Sequence, residues 1–303
     1  MSKDTTKPAD VAGDAKLFDT WFDAIEDGVR GRDRGFIETM LEEELDGALS
    51  RPRYGRRKPD EDDKIVRLIL DGTVVRVRLD KKATSISLLV ALGVREDGKK
   101  VLLAVKNMGG ESAEAWRALL DDLLKRGMQT PDLVMVDGGK GLDAALAALW
   151  TNVPVQRCTV HKHRNLLAHA PERLHEDISA DYTDMIYAAT TAEIETRRQA
   201  FIRKWRLKHS AVADSLEEAG DRLFTFARFP PDQWRSIRTT NAIERLHEEF
   251  KRRIKTQTVL PSAETAALLF WALLASGQIT MRKVDGWNTL ADKPSAQPID
   301  LAA

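Results

Sequence analysis

The chain has 303 residues, 43% of them hydrophobic and 31% charged, enough to bury a sizeable core in about two domains at ~100 to 200 residues each. Lysine plus arginine and aspartate plus glutamate both number 47, so any contact with a polyanion must come from local clusters rather than from a global field. A single cysteine, Cys158, excludes an intramolecular disulfide and makes a reducing compartment the default.

The start, MSKDTTKPADVAGDAK, is polar and carries no secretory signal. Residues 1–14 read as a disordered lead. Leu17, Phe18, Trp21, Phe22 and Ile25, then Phe36, Ile37, Met40, Leu41, Leu45 and Leu49, recur at helical spacing on either side of GRDRG. They predict a small helical hairpin within residues 15–63. It ends in RPRYGRRK, where Arg51, Arg53, Arg56, Arg57 and Lys58 form a basic patch, either a solvated linker or a phosphate contact.

From Lys64 the texture changes to strands. Ile65 to Leu70 is β-rich and stops at Asp71-Gly72; Val75 and Val77 then alternate with Arg76 and Arg78, as in a half-buried strand. SISLLVALGV and KVLLAV, joined at Asp97-Gly98, predict a hairpin. Trp116, Leu119, Leu120, Leu123 and Leu124 give a helix over Glu111 to Arg126. Leu133 to Val136 reads as a buried parallel strand running into Asp137-Gly138-Gly139, followed by a helix from Leu142 to Trp150 and a strand from Val153 to Cys158. This order predicts an α/β fold with a mixed five-stranded sheet flanked by helices. Between Cys158 and Arg238 the pattern is helical, with three helices through Leu174 to Ile186, Ile194 to Trp205 and Val212 to Leu216. The apolar run from Ala266 to Ser276 is well short of the ~20 residues of a membrane crossing and predicts a buried helix within Ser262 to Gln278. The tail from Asn288 reads as loose.

RSIRTTNAIERLHEEFKRR, Arg235 to Arg253, predicts one more helix. Asn241 and Glu244 fit an N-x-x-E capping box, and the far end is basic. Three acids stand out by context: Asp71 and Asp137 on or just beyond strands, and Glu244 on a helix after the insertion. Converging carboxylates repel one another and call for divalent cations. Mg²⁺ prefers such oxygen ligands, and two ions ~3.5 to 4 Å apart serve in-line phosphoryl displacement. Each acid has a plainer alternative: a turn at Asp71, a strand-to-helix connection at Asp137, a cap at Glu244. Glu248 competes for the third position, but a salt bridge to Arg252 is its expected role.

LILDGTVVRVR, LVMVDGGKGL, VQRCTVH and RTTNAIERLHEEFKRR together resemble the Mutator-type family of bacterial insertion-sequence transposases, over roughly Lys64 to Leu290. TTNAIE combined with C-x-x-H is specific to that family. The resemblance implies a ribonuclease-H-like catalytic domain over 64–159 and 239–287 with a helical insertion over 160–238. It also implies a DDE triad of Asp71, Asp137 and Glu244 as catalytic metal ligands for Mg²⁺ or Mn²⁺, with Cys158 and His161 as the C-x-x-H pair. The implied activity is cutting double-stranded DNA at terminal inverted repeats and joining the ends to a target, in a homo-oligomer, within the bacterial cytoplasm at the nucleoid. His161, Arg164, Lys251, Arg252 and Arg253 are the expected DNA contacts, and Asn241 the expected helix start. A structural zinc needs four ligands, and Cys158, His161 and His163 supply at most three, so zinc is not expected. No G-x-x-x-x-G-K-[ST] occurs, so neither is ATP. The DNA-binding region that family members carry before the first catalytic strand looks shortened, because Ile65 follows Lys58 almost at once. The alternative activity is that of a non-catalytic remnant that binds DNA or a full-length transposase; a nuclease for RNA in hybrids is a third.

Overall fold

The computed structural model describes residues 64–79, 82–254, 263–275 and 279–292, together with Thr39. The expected lead, helical hairpin and basic patch before Lys64 lie outside the described residues, Thr39 apart, as does the tail beyond Asp292.

Five strands form one sheet: β1 (Ile65–Leu79), β2 (Lys82–Arg95), β3 (Lys100–Asn107), β4 (Leu133–Val136) and β5 (Val155–Arg157), in the order β3-β2-β1-β4-β5. The first three are antiparallel neighbours, whereas β4 runs parallel to both β1 and β5. With helices on both faces, this is the expected mixed sheet of a ribonuclease-H-like fold. The Asp71-Gly72 pair does not end the first strand. β1 continues through it to Leu79, because β2 is long enough to pair with it as far as Lys82. Past that point the alternation is clean: Thr73, Val75 and Val77 are buried while Val74, Arg76 and Arg78 are exposed, as a period of two requires.

Each face of the sheet has its own core. Leu68 and Leu70 of β1, with Val134 and Val136 of β4, pack on α1 (Ala113–Lys125) and α2 (Lys140–Leu149) through Trp116, Leu119, Leu120, Leu123, Leu142 and Leu146. On the other face Ile69, Val75, Val90 and Met135 belong to the core that the remaining helices complete. Asp71 shares the parity of Ile69 and Val75, so it points to this second face.

As far as Ala219 the expected insertion holds one helix more than the three expected. α3 (Thr159–Ala168) starts directly after β5 and precedes α4 (His175–Ile186), α5 (Thr191–Lys208) and α6 (Ser210–Ala219). Its sequence, TVHKHRNLLA, lacks an apolar stripe because its inward face is largely polar. Lys162 is buried and is bound by Ser215 and Glu218, both at 3.0 Å. Short helical turns and α7 (Trp234–Ile237) lead to α8 (Asn241–Ile254), and α9 (Ala263–Ala275) follows. The C-terminal segment is not loose up to Asp292: Gln233 donates to the Thr289 hydroxyl at 2.9 Å and Leu290 is buried.

Gln156 joins sheet to insertion. Fully buried in β5, it donates to the Leu223 carbonyl at 2.8 Å and accepts from the Phe226 N–H at 2.7 Å. Gln156→Leu leaves both backbone groups buried without a partner, at ~1 to 3 kcal/mol per group. A loss of about 2 to 4 kcal/mol in denaturant unfolding is the expected outcome.

Candidate active site

Strand register builds the site. β1 pairs with β4 so that Leu70 lies opposite Val136, and β4 pairs with β5 so that Val136 lies opposite Arg157. The residue after each of these, Asp71, Asp137 and Cys158, therefore falls in one row across three parallel strands spaced ~4.8 Å apart. The Cys158 N–H donates to the Val136 carbonyl at 2.7 Å and extends the pairing by one residue into that row.

Glycines admit the neighbours of this row. Gly138 has φ +97°, and a Cβ there would fall 2.4 Å from Arg157 Nε. A Cβ on Gly72 would fall 2.0 Å from Glu111 Oε1, and Glu111 Oε2 comes within 3.9 Å of the Cβ position of Gly139. Glu111, immediately before the Ser112 cap of α1, is thus a fourth carboxylate, over Gly72 and near Asp137. Sequence reasoning passed over it, and the small residues Gly72 and Gly139 opposite it were the available signal.

α3 and α8 close the site from the second face. Thr240, just before α8, donates its N–H to Cys158 Sγ at 3.4 Å, and its hydroxyl lies 3.5 Å from His161 Nδ1. His161 Nε2 is 3.5 Å from Glu244 Oε1, and Arg164 donates to that same oxygen at 2.8 Å. His161 and Arg164 sit three residues apart on α3 and share its face. One turn further along α8, His247 Nδ1 is 2.6 Å from the Thr73 hydroxyl. Asp71 and Thr73 of β1 thus oppose Glu244 and His247 of α8.

Burial sets the electrostatics. Asp71 is 4% exposed, and burial, reinforced by the charges of Asp137 and Glu244, pushes its carboxyl up to about 7 against the pull of His161 and Thr240. Glu111 is raised as well, by burial and then by Asp137. His161 is pushed up to about 9, chiefly by its hydrogen bond with Cys158 and further by Asp71 and Glu244, so it carries a proton at neutral pH. Burial alone would raise the Cys158 thiol, but hydrogen bonds with His161 and Thr240 bring it below its ordinary range. His247 is held down to about 4 by burial and Lys251. The site is an acidic cluster with one imidazolium at its edge, and its oxygen donors suit a hard divalent cation.

Asp71, Asp137, Glu244, Cys158 and His161 come together as a group, but Glu244 is turned to Arg164 and His161. Among the described residues no three His, Cys, Asp or Glu side chains gather closely enough to hold a metal ion as they stand. The expected DNA contacts divide. His161 and Arg164 line the site, while Lys251 and Arg252 lie exposed on α8, and the side chain of Arg253 is outside the described residues. Asn241 is the first residue of α8, one position past the cap. The expected Glu248–Arg252 pair is not formed: Arg252 is 2.7 Å from Glu249, and Glu248 is 3.8 Å from Lys251, because i,i+3 neighbours meet as readily as i,i+4. His163 stacks on Tyr182 with ring centroids 5.1 Å apart and contacts Ser179, away from the cluster.

Asp71 makes stability depend on pH. Its folded-state value of about 7 exceeds the ordinary 3.8, so the unfolded chain releases its proton first and folding stability falls as pH rises through that window. The His161 contribution is present in full below 6.5 and is lost as pH rises through about 9. In metal-free buffer at pH 8, Asp71→Asn should raise the stability by roughly 2 kcal/mol, measured by thermal melting, and the gain should vanish near pH 4.

A profile of the family described as Transposase, Mutator family, matches residues 56–281. The transposase for insertion sequence element IS905 of Lactococcus lactis is 34% identical over 65% of this chain and 50% of its own length. That for ISRM5 of Rhizobium meliloti is 32% identical over 68% of this chain and 52% of its length. That for IS6120 of Mycolicibacterium smegmatis is 34% identical over 78% of this chain and 73% of its length. The chain spans about half the length of most of the curated relatives it matches. No helix among the described residues is long and apolar enough to cross a membrane. With a ribonuclease-H-like sheet, an acidic row at its parallel strand ends and a family profile covering most of its length, the chain belongs to the Mutator family of transposases.

Proposed function

We propose that this chain catalyses DDE-type cleavage and strand transfer of double-stranded DNA at insertion-sequence ends, with Asp71, Asp137 and Glu244 as the residues that hold Mg²⁺ or Mn²⁺. What carries the proposal is the strand register that sets Asp71 beside Asp137, with α8 bringing Glu244 across from them, in a chain of this family. The carboxyl of Asp71 is raised by burial first and then by the neighbouring charges of Asp137 and Glu244, and a buried acid among acids fits a cation-binding role. When bound, a pair of divalent cations activates the attacking oxygen and stabilises the leaving one.

The chain's own residues do the rest. Asp71 and Asp137, fixed by β1 and β4, orient the site; Glu244 joins them by exchanging Arg164 for the site, a rotation of one side chain on a helix already seated on β1 through His247 and Thr73. Protonated His161 adds positive charge where a scissile phosphate is bound. In cleavage, a water oxygen bonds to phosphorus and loses its proton as the bond to the 3′-oxygen breaks. In joining, the freed 3′-hydroxyl oxygen loses its proton and bonds to a target phosphorus as the bond from that phosphorus to the target 3′-oxygen breaks, and the leaving 3′-oxygen takes up a proton. Two ends must be brought together, so the working form is a homo-oligomer on DNA at the bacterial nucleoid.

Nicking and strand transfer of a DNA carrying candidate ends, with Mg²⁺, test the proposal. Asp137→Asn and Glu244→Gln should each lower the rate by about 10²–10³-fold or more, the range seen on removing one transition-state stabilising group. Glu244→Gln should leave thermal stability nearly unchanged, and Mg²⁺ should raise the melting temperature of wild type at pH 8 but not that of Asp71→Asn. A folded, DNA-binding wild type without activity would point instead to a non-catalytic DNA-binding protein. Cleavage confined to RNA–DNA hybrid would identify a nuclease of another specificity.

A further inference from the structure

Arg238 and Thr239, just before the Thr240 that contacts Cys158, border a cleft of about 1120 Å³. It runs between α7, α8 and the irregular segment from Ile279 to Asp285. Its three carboxylates are already engaged: Asp285 with Arg235 at 3.5 Å, Glu248 with Lys251 at 3.8 Å and Glu249 with Arg252 at 2.7 Å. Arg238, Arg245 and Arg282 also line it, and among the described residues none of them forms an ion pair with a carboxylate.

Arg238 is the unusual one. It is 8% exposed, its Nε is buried without a hydrogen-bond partner, and its guanidinium lies over the rings of Phe226, Tyr187 and Trp234 at 4.6, 4.9 and 5.4 Å. A cation so far removed from water ordinarily needs a paired anion. Ring stacking offsets part of that cost but leaves the planar N–H fork open, and such a fork matches a phosphate. The position is fixed by the backbone: the Arg238 carbonyl accepts from both the N–H and the hydroxyl of Thr159 at 2.9 and 3.1 Å, where α3 begins. Two residues on, Thr240 contacts Cys158 and His161.

We propose that this cleft is a binding site for the DNA backbone, in which Arg238 takes one phosphate while Arg245 and Arg282 take its neighbours, and that the segment Arg238 to Thr240 sets the distance from that phosphate to the acidic row. The cleft is far larger than a single phosphate, and its excess positive charge, carried by Arg238 after α7, Arg245 on α8 and Arg282 on the segment beyond, fits a strand rather than a free ion. The proposal rests on the DNA-cleaving activity proposed above, since it names where that substrate is held.

Binding of a short fluorescein-labelled DNA duplex by the full chain, followed by anisotropy over a range of salt concentrations, tests it. Arg245→Ala combined with Arg282→Ala removes two exposed side chains. It should weaken binding and lower the slope of log affinity against log salt by about two. Arg238→Lys, which keeps the charge and loses the fork, should weaken binding at every salt concentration, and Arg117→Ala on the opposite face of the sheet should change nothing. Unchanged affinity and slope in the double variant, or tighter binding of an RNA duplex than of DNA, would overturn the proposal. If strand transfer still depends on Asp137 in that event, the cleft assignment alone has failed; a normal loss of slope with no Asp137-dependent activity would fail the catalytic proposal and leave the cleft standing.

Discussion

Three parallel strand ends in register govern the chemistry of this molecule. Because β1, β4 and β5 pair through Leu70, Val136 and Arg157, the next residue on each is delivered to the same level without any long-range adjustment. Two of those residues are acids and the third is the cysteine that fastens His161 and Thr240. Burial then changes the acidity of what proximity has gathered. Carboxylates at the end of a solvent-exposed hairpin would keep their ordinary acidity, whereas Asp71, under α8 and against Asp137, does not. The local electrostatic cost is held in place by the two hydrophobic cores on either side of the sheet.

Much of this was legible in the chain. Strand and helix periodicities fix the mixed sheet because buried β4 and half-buried β1 differ in pattern, one uniformly apolar and one alternating. Asp71, Asp137 and Glu244 could be singled out by their place relative to those elements. What was not legible depended on polar packing. α3 hides in sequence because Lys162 faces inward on hydrogen bonds that come from Ser215 and Glu218, and apolar periodicity has no means of registering such a face. Glu111 was missed for a related reason: it meets the site by lying over Gly72 and Gly139, a faint signal beside an apolar period. Pairing on the surface of α8 also escaped, since Glu248 and Glu249 offer nearly equivalent choices to Lys251 and Arg252.

Glu244 is held in the folded chain by a guanidinium from a neighbouring helix, that of Arg164. Its bond to Arg164 satisfies a carboxylate that would otherwise add to the repulsion around Asp71. The same arrangement ties α3 to the start of α8, through His161 to Thr240 and Glu244 and through Arg164 to Glu244.

The buried contacts of α3 also bear on how such a chain can change over time. Lys162 and Arg157 share Glu218 of α6, and Gln156 is satisfied only by the turn around Leu223 to Phe226. Excising the segment between α3 and α7 would strand two buried cations and a buried amide under the sheet. The insertion is therefore not a removable module. Length variation is cheapest at its outer connections, such as the exposed turns around Glu172 and Ala189, where neither the sheet nor α3 depends on what the chain does.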